Sequence, residues 1–284
     1  MQSVYVLIPV HNRLSFTECV IECLRRQEGN SRIIIVIIDD GSTDGTADYL
    51  AAQADVVTLK GDGTLFWGGA IQMGLDYALG CCERDDYILF LNDDTQFVPG
   101  YVETLVNSSR RNGDAVVGSV VREDGEVPAL VSIGARIDLD RILIRDILSG
   151  LSPEQIADLD EFYFPDALSG RGTLFPSRYF REFGTLVPHL LPHYFADYEI
   201  TMRFKRKGVP LVVARDACVF SPPVYGNSVD GMSFFKRYFG PRSSRNLWQM
   251  LIFFCRVGTP FQRLTAPLRL GLKSISHARR KQQV

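Results

Sequence analysis

The sequence predicts an α/β protein with a mostly parallel central sheet flanked by helices. Three observations carry this reading. From Val4 to Val121, short β-branched runs alternate with helix-length amphipathic stretches. Two of the runs, Ile33–Ile38 and Tyr87–Leu91, are apolar at nearly every position, as in strands covered on both faces. Polar, Asp-rich clusters follow the strands, on the sheet edge where open α/β folds keep their ligands.

The elements follow in order. Val4–Ile8 is the first strand. Ser15-Phe16-Thr17-Glu18 has capping-box spacing and predicts a helix to about Gln27. Ile33–Ile38 and the short Val56–Leu59 are the next strands, Gly69–Leu79 a helix, Tyr87–Leu91 a buried strand, Tyr101–Arg111 a helix and Ala115–Val121 a strand. From Arg122 to Pro165 the periodicity weakens and acids accumulate, which predicts loops with short elements, including a helix after Ser152-Pro153-Glu154. Thr173–Phe175 reads as a strand and Arg178–Phe183 as a helix. Ala196–Lys207 reads as a helix stopped by Gly208 and Pro210, and Leu211–Ala214 as a strand.

With 284 residues, 46% hydrophobic and 23% charged, the chain can bury a sizeable core, which excludes a disordered tail, a collagen-like chain and a small disulfide scaffold. Charge divides it. From Gly231 to Val284 there are eleven Lys and Arg and no acid, so all 33 acidic residues lie in the body. We therefore expect a body over 1–230, with a ligand-binding half at 1–121 and a second half at 122–230, and a basic helical segment over 231–284. The six cysteines form no C-x-x-C pair, and Met1-Gln2-Ser3 runs straight into a strand. The expectation is free thiols in a reducing, cytoplasmic compartment. The apolar stretch Leu247–Val257 is broken by Gln249 and Arg256, short of the roughly 20 residues a spanning helix needs.

Three strands end in polar clusters: Pro9-Val10-His11-Asn12-Arg13, Asp39-Asp40-Gly41-Ser42-Thr43-Asp44-Gly45, and Asn92-Asp93-Asp94-Thr95. One Asp after a strand is commonly a cap or turn residue. Three clusters converging on one sheet edge predict a site. Adjacent carboxylates repel, so Asp93-Asp94 predicts a divalent cation, Mg²⁺ or Mn²⁺, of the kind that neutralises a diphosphate. Gly68-Gly69 before a helix would let backbone approach a ligand, with Trp67 packed on a sugar or base; the alternative is a glycine loop beside a core Trp. Arg171, in Ser169-Gly170-Arg171-Gly172, suits a diphosphate or an acidic acceptor. His189 and His193 stand four apart, but Pro192 breaks the helix a metal pair would need, so they read as loop residues with His193 near an acceptor. Asp197 stands at a helix start, where the dipole favours an anion.

Together, Ile8-Pro9-Val10-His11-Asn12-Arg13, the run Ile38 to Thr46, Leu91-Asn92-Asp93-Asp94 and Phe195-Ala196-Asp197-Tyr198-Glu199 resemble the motifs of family 2 glycosyltransferases with the GT-A fold, over about residues 4–225. The likeness is to bacterial rhamnosyltransferase-like transferases of surface glycans. It implies that Asp39 hydrogen-bonds the nucleotide base. Pro9, His11, Arg13, Trp67, Gly69, Asp93 and Arg171 would bind the nucleotide sugar, and Asp94 and Asp93 the metal. Asp197 would be the general base of an inverting displacement, and His193 and Glu199 would contact the acceptor. The sequence departs from the family pattern in three places. Ala196 precedes Asp197 where an acid is common, Ala70-Ile71-Gln72-Met73-Gly74 lacks the usual Arg, and Val219-Phe220-Ser221-Pro222-Pro223 lacks the usual His, so water would complete the metal shell.

The resemblance implies a UDP- or dTDP-linked donor and a glycan acceptor, lipid-linked, in surface polysaccharide synthesis. The basic segment interleaves Phe234, Phe235, Tyr238, Phe239, Trp248, Phe253, Phe254 and Phe261 with its cations, which suits an anionic membrane surface on the cytoplasmic side. The alternatives are a helical appendage packed on the body or on a second copy of the chain, as in a homodimer. The acidic body argues against nucleic acid. A nucleotidyltransferase would need a Gly-rich basic first loop, and Pro9–Arg13 has no glycine. A non-catalytic glycan binder would not need Asp94 and Asp197.

Overall fold

The computed structural model describes residues 1–125, 128–222, 233–240, 243 and 245–281. The expected break at 230/231 lies outside these residues, as do Pro223, Arg242 and the side chains of Phe234, Lys273, Arg279, Arg280 and Lys281. Alternation begins with β1 (Ser3–Val10), α1 (Leu14–Arg25), β2 (Arg32–Asp39), α2 (Thr46–Ala51), β3 (Val56–Lys60), α3 (Phe66–Cys81), β4 (Tyr87–Phe90), α4 (Tyr101–Arg111) and β5 (Val116–Glu123). The weakly periodic stretch holds β6 (Leu130–Ser132), a hairpin of β7 (Ala135–Asp138) and β8 (Leu143–Asp146), α5 (Pro153–Ala157) and β9 (Phe162–Tyr163). Then come β10 (Thr173–Pro176), α6 (Arg178–Phe183), α7 (Ala196–Arg206), β11 (Leu211–Ser221) and the C-terminal helices α8 (Phe234–Phe239), α9 (Leu247–Val257) and α10 (Pro260–Lys281).

The sheet runs β3-β2-β1-β4-β10-β5-β11-β9, with β6 on β5. Strands β3, β2, β1 and β4 are parallel neighbours, and β11 is parallel to β5. β10 is inserted antiparallel between β4 and β5. The two faces divide by strand alternation. Val4, Val6 and Ile8 face α1 and α4, whereas Tyr5 and Leu7 face α3 and the layer that holds α6, α7 and α9. Phe90, Phe175, Phe180 and Phe204 form one aromatic cluster, with ring centroids 4.6 to 6.1 Å apart, and it fastens α7 to the sheet.

Two local expectations change, at α1 and β11. α1 begins at Leu14, so Ser15 lies inside the helix and makes no cap; Asp44 instead accepts the Leu14 N–H at 3.0 Å. The capping box that does form is at Ser152 and Gln155, opening α5. β11 extends past Ala214 to Ser221, with an irregularity between Ala214 and Cys218. Among the described residues, no helix is long and apolar enough to cross a membrane.

Gly172 is locked where the second half joins the sheet. Its φ is +80°, and an added Cβ would lie 2.6 Å from Ser119 Oγ, which itself donates to the Gly172 carbonyl at 2.7 Å. Gly172→Ala should therefore lower unfolding stability by about 2–3 kcal/mol through backbone strain and overpacking, read as a shifted denaturant midpoint.

Candidate functional site

Because β2, β1 and β4 are adjacent and parallel, their three polar ends meet at one edge. Pro9 is half-buried on β1, opposite Ile38. Beyond it, Asn12 takes a left-handed φ of +54°. It is held there because its N–H donates to Ser42 Oγ at 2.9 Å and its Oδ1 accepts the Thr43 N–H at 2.7 Å. His11 Nδ1 lies 2.6 Å from the Asp40 carbonyl oxygen. The β1 and β2 loops are thus stitched together.

The acids after β2 have different tasks. Asp39 is buried and accepts the Ser42 N–H at 3.0 Å. Asp40 accepts three backbone N–H groups, from Gly63 at 2.8 Å, Leu65 at 3.0 Å and Phe66 at 3.2 Å, and so satisfies the start of α3. Asp44 serves α1, and its bonds to Thr46 and Leu14 hold its carboxyl below the usual range. Of the three, Asp39 is the one that serves no helix start.

Asp93 and Asp94 converge on one cation. Arg13 Nη1 lies 2.8 Å from Asp93 Oδ1 and 2.9 Å from Asp94 Oδ2, and the guanidinium also covers the Phe16 ring at 5.0 Å. Burial pushes the Asp93 carboxyl up to about 6; Arg13 opposes the rise and Asp94 adds to it. Burial also disfavours the Arg13 charge, but the two carboxylates outweigh it and raise its pKa. The guanidinium shows that these two oxygens can share a positive charge. Among the described residues, no group of three or more His, Cys, Asp or Glu could hold a metal. Two carboxylates alone fit Mg²⁺ or Mn²⁺, hard ions that keep several waters and take phosphate oxygens.

The start of α3 corrects one assignment. Gly68, not Gly69, is the glycine of close approach. Its N–H donates to the Pro192 carbonyl at 2.8 Å, and a Cβ there would stand 2.7 Å from the Leu191 oxygen. Gly69 lies within the first turn of α3, where its N–H bonds the Leu65 carbonyl. Trp67 is a strut. Its Nε1 donates to Asn92 Oδ1 at 3.1 Å, its ring meets Phe90 edge-on at 6.0 Å, and it lies so close over Gly170 that no Cβ fits there.

Gly170 also reaches Asp197. Phe195, with φ +68°, precedes α7, and Asp197 falls in its first turn. Asp197 Oδ2 accepts the Gly170 N–H at 2.9 Å and Oδ1 accepts the Tyr198 N–H at 2.8 Å. Burial raises its pKa, against these N–H groups and the charge of Arg171. Arg171 is thus at the same place and also acts on Tyr194 and Tyr198. His193 lies on the loop before α7, edge-on to Phe66 at 6.4 Å and to Tyr194 at 4.7 Å.

Glu199 departs from its expected role. It is buried on the far side of the turn, where Oε1 accepts from Arg203 Nε at 3.1 Å and from Arg256 Nε at 3.0 Å. The carboxylate joins α7 to α9 instead of facing an acceptor. Asn92, Gly68 and Gly170 lie within the quoted motifs without a task of their own there, and Arg256 lies outside them; all four are site or support residues. Only Arg256 carried no local sequence signal.

If Arg13 occupies the position a metal would take, removing it should tighten metal binding in the nucleotide-free protein. Arg13→Gln should bind Mn²⁺ about five- to tenfold more tightly than the parent, since a partly exposed ion pair of this kind is worth about 1 kcal/mol. Electron paramagnetic resonance titration checks this; equal or weaker binding would refute the competition.

Comparison with known proteins adds to the geometry. Residues 5–142 match the model described as Glycosyl transferase family 2. No curated protein matches the chain. The fold is similar to GalNAc-T7, solved with UDP, GalNAc and Mn²⁺, at a TM-score of 0.61 and 16% identity, over 84% of this chain and 49% of that one. It is similar to S. aureus TarS 1-349 at 0.54 and 12%, over 78% and 60% of the two chains. With TarS in complex with UDP-GlcNAc the values are 0.57 and 13%, over 90% and 66%. The chain therefore spans about half to two thirds of the length of these structures, and at such identities the likeness is one of fold. Residues 5–142, a little under half of the chain, thus resemble glycosyltransferase family 2, and the sheet is similar in fold to the GT-A structures.

Proposed function

We propose that the protein transfers one sugar from a nucleoside-diphosphate sugar, with UDP or dTDP as carrier, to a hydroxyl of a glycan, with inversion. One observation carries this reading. A buried carboxylate, Asp197, is held by two backbone N–H groups and linked through Gly170, Trp67 and Asn92 to the Asp93-Asp94 pair at the same sheet edge. A base and a diphosphate-metal site in one rigid frame suit a single displacement. The family match, and UDP, UDP-GlcNAc and Mn²⁺ in the structures similar in fold, support it.

Each residue then has a task. Asp39 accepts from the nucleobase, and Pro9 and His11 line its cleft. Asp93 and Asp94 would hold Mg²⁺ or Mn²⁺, which supplies charge neutralisation to the leaving diphosphate. Arg13, released from the carboxylates, and Arg171 offer guanidinium groups to the phosphates. Asp197 takes the proton of the acceptor hydroxyl as that oxygen bonds the anomeric carbon and the bond to the diphosphate breaks. Burial makes Asp197 a stronger base than a free Asp, while its two N–H donors favour the ionised form. The acceptor is a growing glycan, carried on a lipid, and His193 lies on the loop leading to it.

The C-terminal helices suit an anionic membrane on the cytoplasmic side. Phe235, Phe239, Trp248, Phe261, Leu264 and Leu268 are all exposed, in a segment without acid.

Asp197→Asn should lower transfer by about a thousandfold, the scale of general base catalysis, with nucleotide affinity nearly unchanged. Calorimetry with UDP, dTDP, GDP, CDP and ADP, each with Mn²⁺ and with EDTA, should find metal-dependent binding of UDP or dTDP that Asp94→Ala abolishes. Binding to none of them would leave a glycan-binding protein as the better reading. Replacing Trp248, Phe261 and Leu264 together by Ser should release the protein from phosphatidylglycerol vesicles in a sedimentation assay; undiminished binding would dispose of the membrane surface.

A further inference from the structure

We infer that α9 is a working part of the catalytic site, with Phe253 and Arg256 as positioning residues for Asp197. The inference rests on the reading of Asp197 as the base.

Asp197 is bracketed. Two residues before it, the Phe195 ring stacks on Phe253, with centroids 5.3 Å and planes 21° apart, and Phe253 is fully buried. Two residues after it, Glu199 Oε1 accepts from Arg256 Nε at 3.0 Å and lies 2.9 Å from Arg256 Nη2. Both brackets come from one helical turn of α9. The body of α7 needs neither, because Ile200 and Phe204 already seat it in the core. The stacked ring and the ion pair that α9 adds both fall at the first turn, where Asp197 stands.

The local physics makes that turn dependent on outside support. Phe195 holds a φ of +68°, a conformation that a bulky side chain keeps only where its surroundings impose it. Glu199 is 2% exposed, and its other cation, Arg203, comes from the same helix. Without Arg256 the buried carboxylate loses its partner from outside α7, and the turn must shift to bring it water. Asp197 would shift with it, away from the Gly170 N–H. The charged and titratable groups facing Asp197 are Arg171, from the loop before β10, and Tyr198 in its own turn. Arg256 therefore acts through geometry and not by direct charge on the base.

The test uses the full chain and three variants, Arg256→Gln, Arg256→Lys and Phe253→Leu. For each, UDP affinity and stoichiometry are measured with Mn²⁺, and kcat is followed against pH. We expect Arg256→Gln to keep UDP affinity and full stoichiometry while kcat falls about 10- to 100-fold, the loss typical of a misplaced catalytic group. The base must be ionised, so kcat falls as pH drops through its pKa. Burial raises that pKa by more than the Gly170 N–H lowers it, so a loosened, wetter turn should move the acid limb to lower pH. Arg256→Lys, which keeps a cation at the carboxylate, should recover most of kcat, and Phe253→Leu should show the same pattern in milder form. Normal kcat in Arg256→Gln, or a loss matched by lost UDP stoichiometry with the acid limb unmoved, would overturn the inference. Should Arg256→Gln fail to fold, Phe253→Leu and Arg256→Lys decide by the same readouts. Asp197→Asn in parallel separates the premises. If it keeps transfer, the base assignment falls; if it is inactive while Arg256→Gln is normal, only the role of α9 falls.

Discussion

Asp197 can carry a charge in its buried place because two backbone N–H groups point at it, and the one from Gly170 organises the rest of the site. Gly170 can approach only because it has no Cβ, since the Trp67 ring fills that space. Trp67 is fixed in turn by Asn92, the residue before the Asp93-Asp94 pair. A continuous run of contacts therefore leads from the paired carboxylates after β4 to Asp197 on α7. The antiparallel β10, inserted beside β4, brings the Gly170 loop to that edge: Thr173 pairs with Phe90, and the Gly172 N–H bonds the Phe90 carbonyl. The loop after β4 and the start of α7 are thus joined through a glycine contact that no motif spells out.

The acids around this frame are sorted by what answers their charge. Asp40 and Asp44 face the N–H groups that helix starts leave without intrahelical partners, which satisfies both the helix and the acid. Asp93 and Asp94 have no helix start to face and share the guanidinium of Arg13. That arrangement is adequate but open, because Arg13 is a long side chain, about two-fifths exposed, that can leave. At these strand ends, acids spent on a helix start are structural; acids answered by a removable side chain are available for a ligand. This difference separates Asp40 and Asp44 from Asp93 and Asp94, though both clusters follow parallel strands.

Such a difference was only partly legible in the sequence. Consecutive apolar runs predicted β1, β2, β4 and β5 because a strand buried on both faces has few alternatives in a soluble chain. Tyr101–Arg111 and Arg178–Phe183 emerged with their expected ends. The direction of β10 was hidden, because four buried residues read the same in either sense. The hairpin β7–β8 was missed because its alternation is short and half exposed. At α1, Ser15 had the right spacing for a capping box, but Asp44, thirty residues away from Leu14, took the position first. Gly69 was preferred to Gly68 because nothing local reveals which glycine meets the Pro192 loop. Glu199 looked like a site acid because its partner, Arg256, lies 57 residues on in the basic segment.

That segment is where charge patterning and structure inform each other most. A block of cations without acids reads first as a solvated tail, yet it faces two ways. α9 buries Phe253, Phe254 and Val257 against the body, while Trp248 at its start is exposed. α10 buries Ala266 and Leu270 and leaves Phe261, Leu264 and Leu268 in the open. Arg269, over the Phe261 ring, is anchored to Asp140 at 2.9 Å, and Gln262 reaches the same carboxylate. The acids that answer these cations thus come from the body, which explains how one part of the chain can be so basic and the other so acidic while the two pack together. A helix pair that is apolar on both sides needs a partner on both sides. The body supplies one, at the turn that carries Asp197. The other side presents aromatic and leucine side chains within a cationic segment, the composition that an anionic membrane surface accepts more readily than water does.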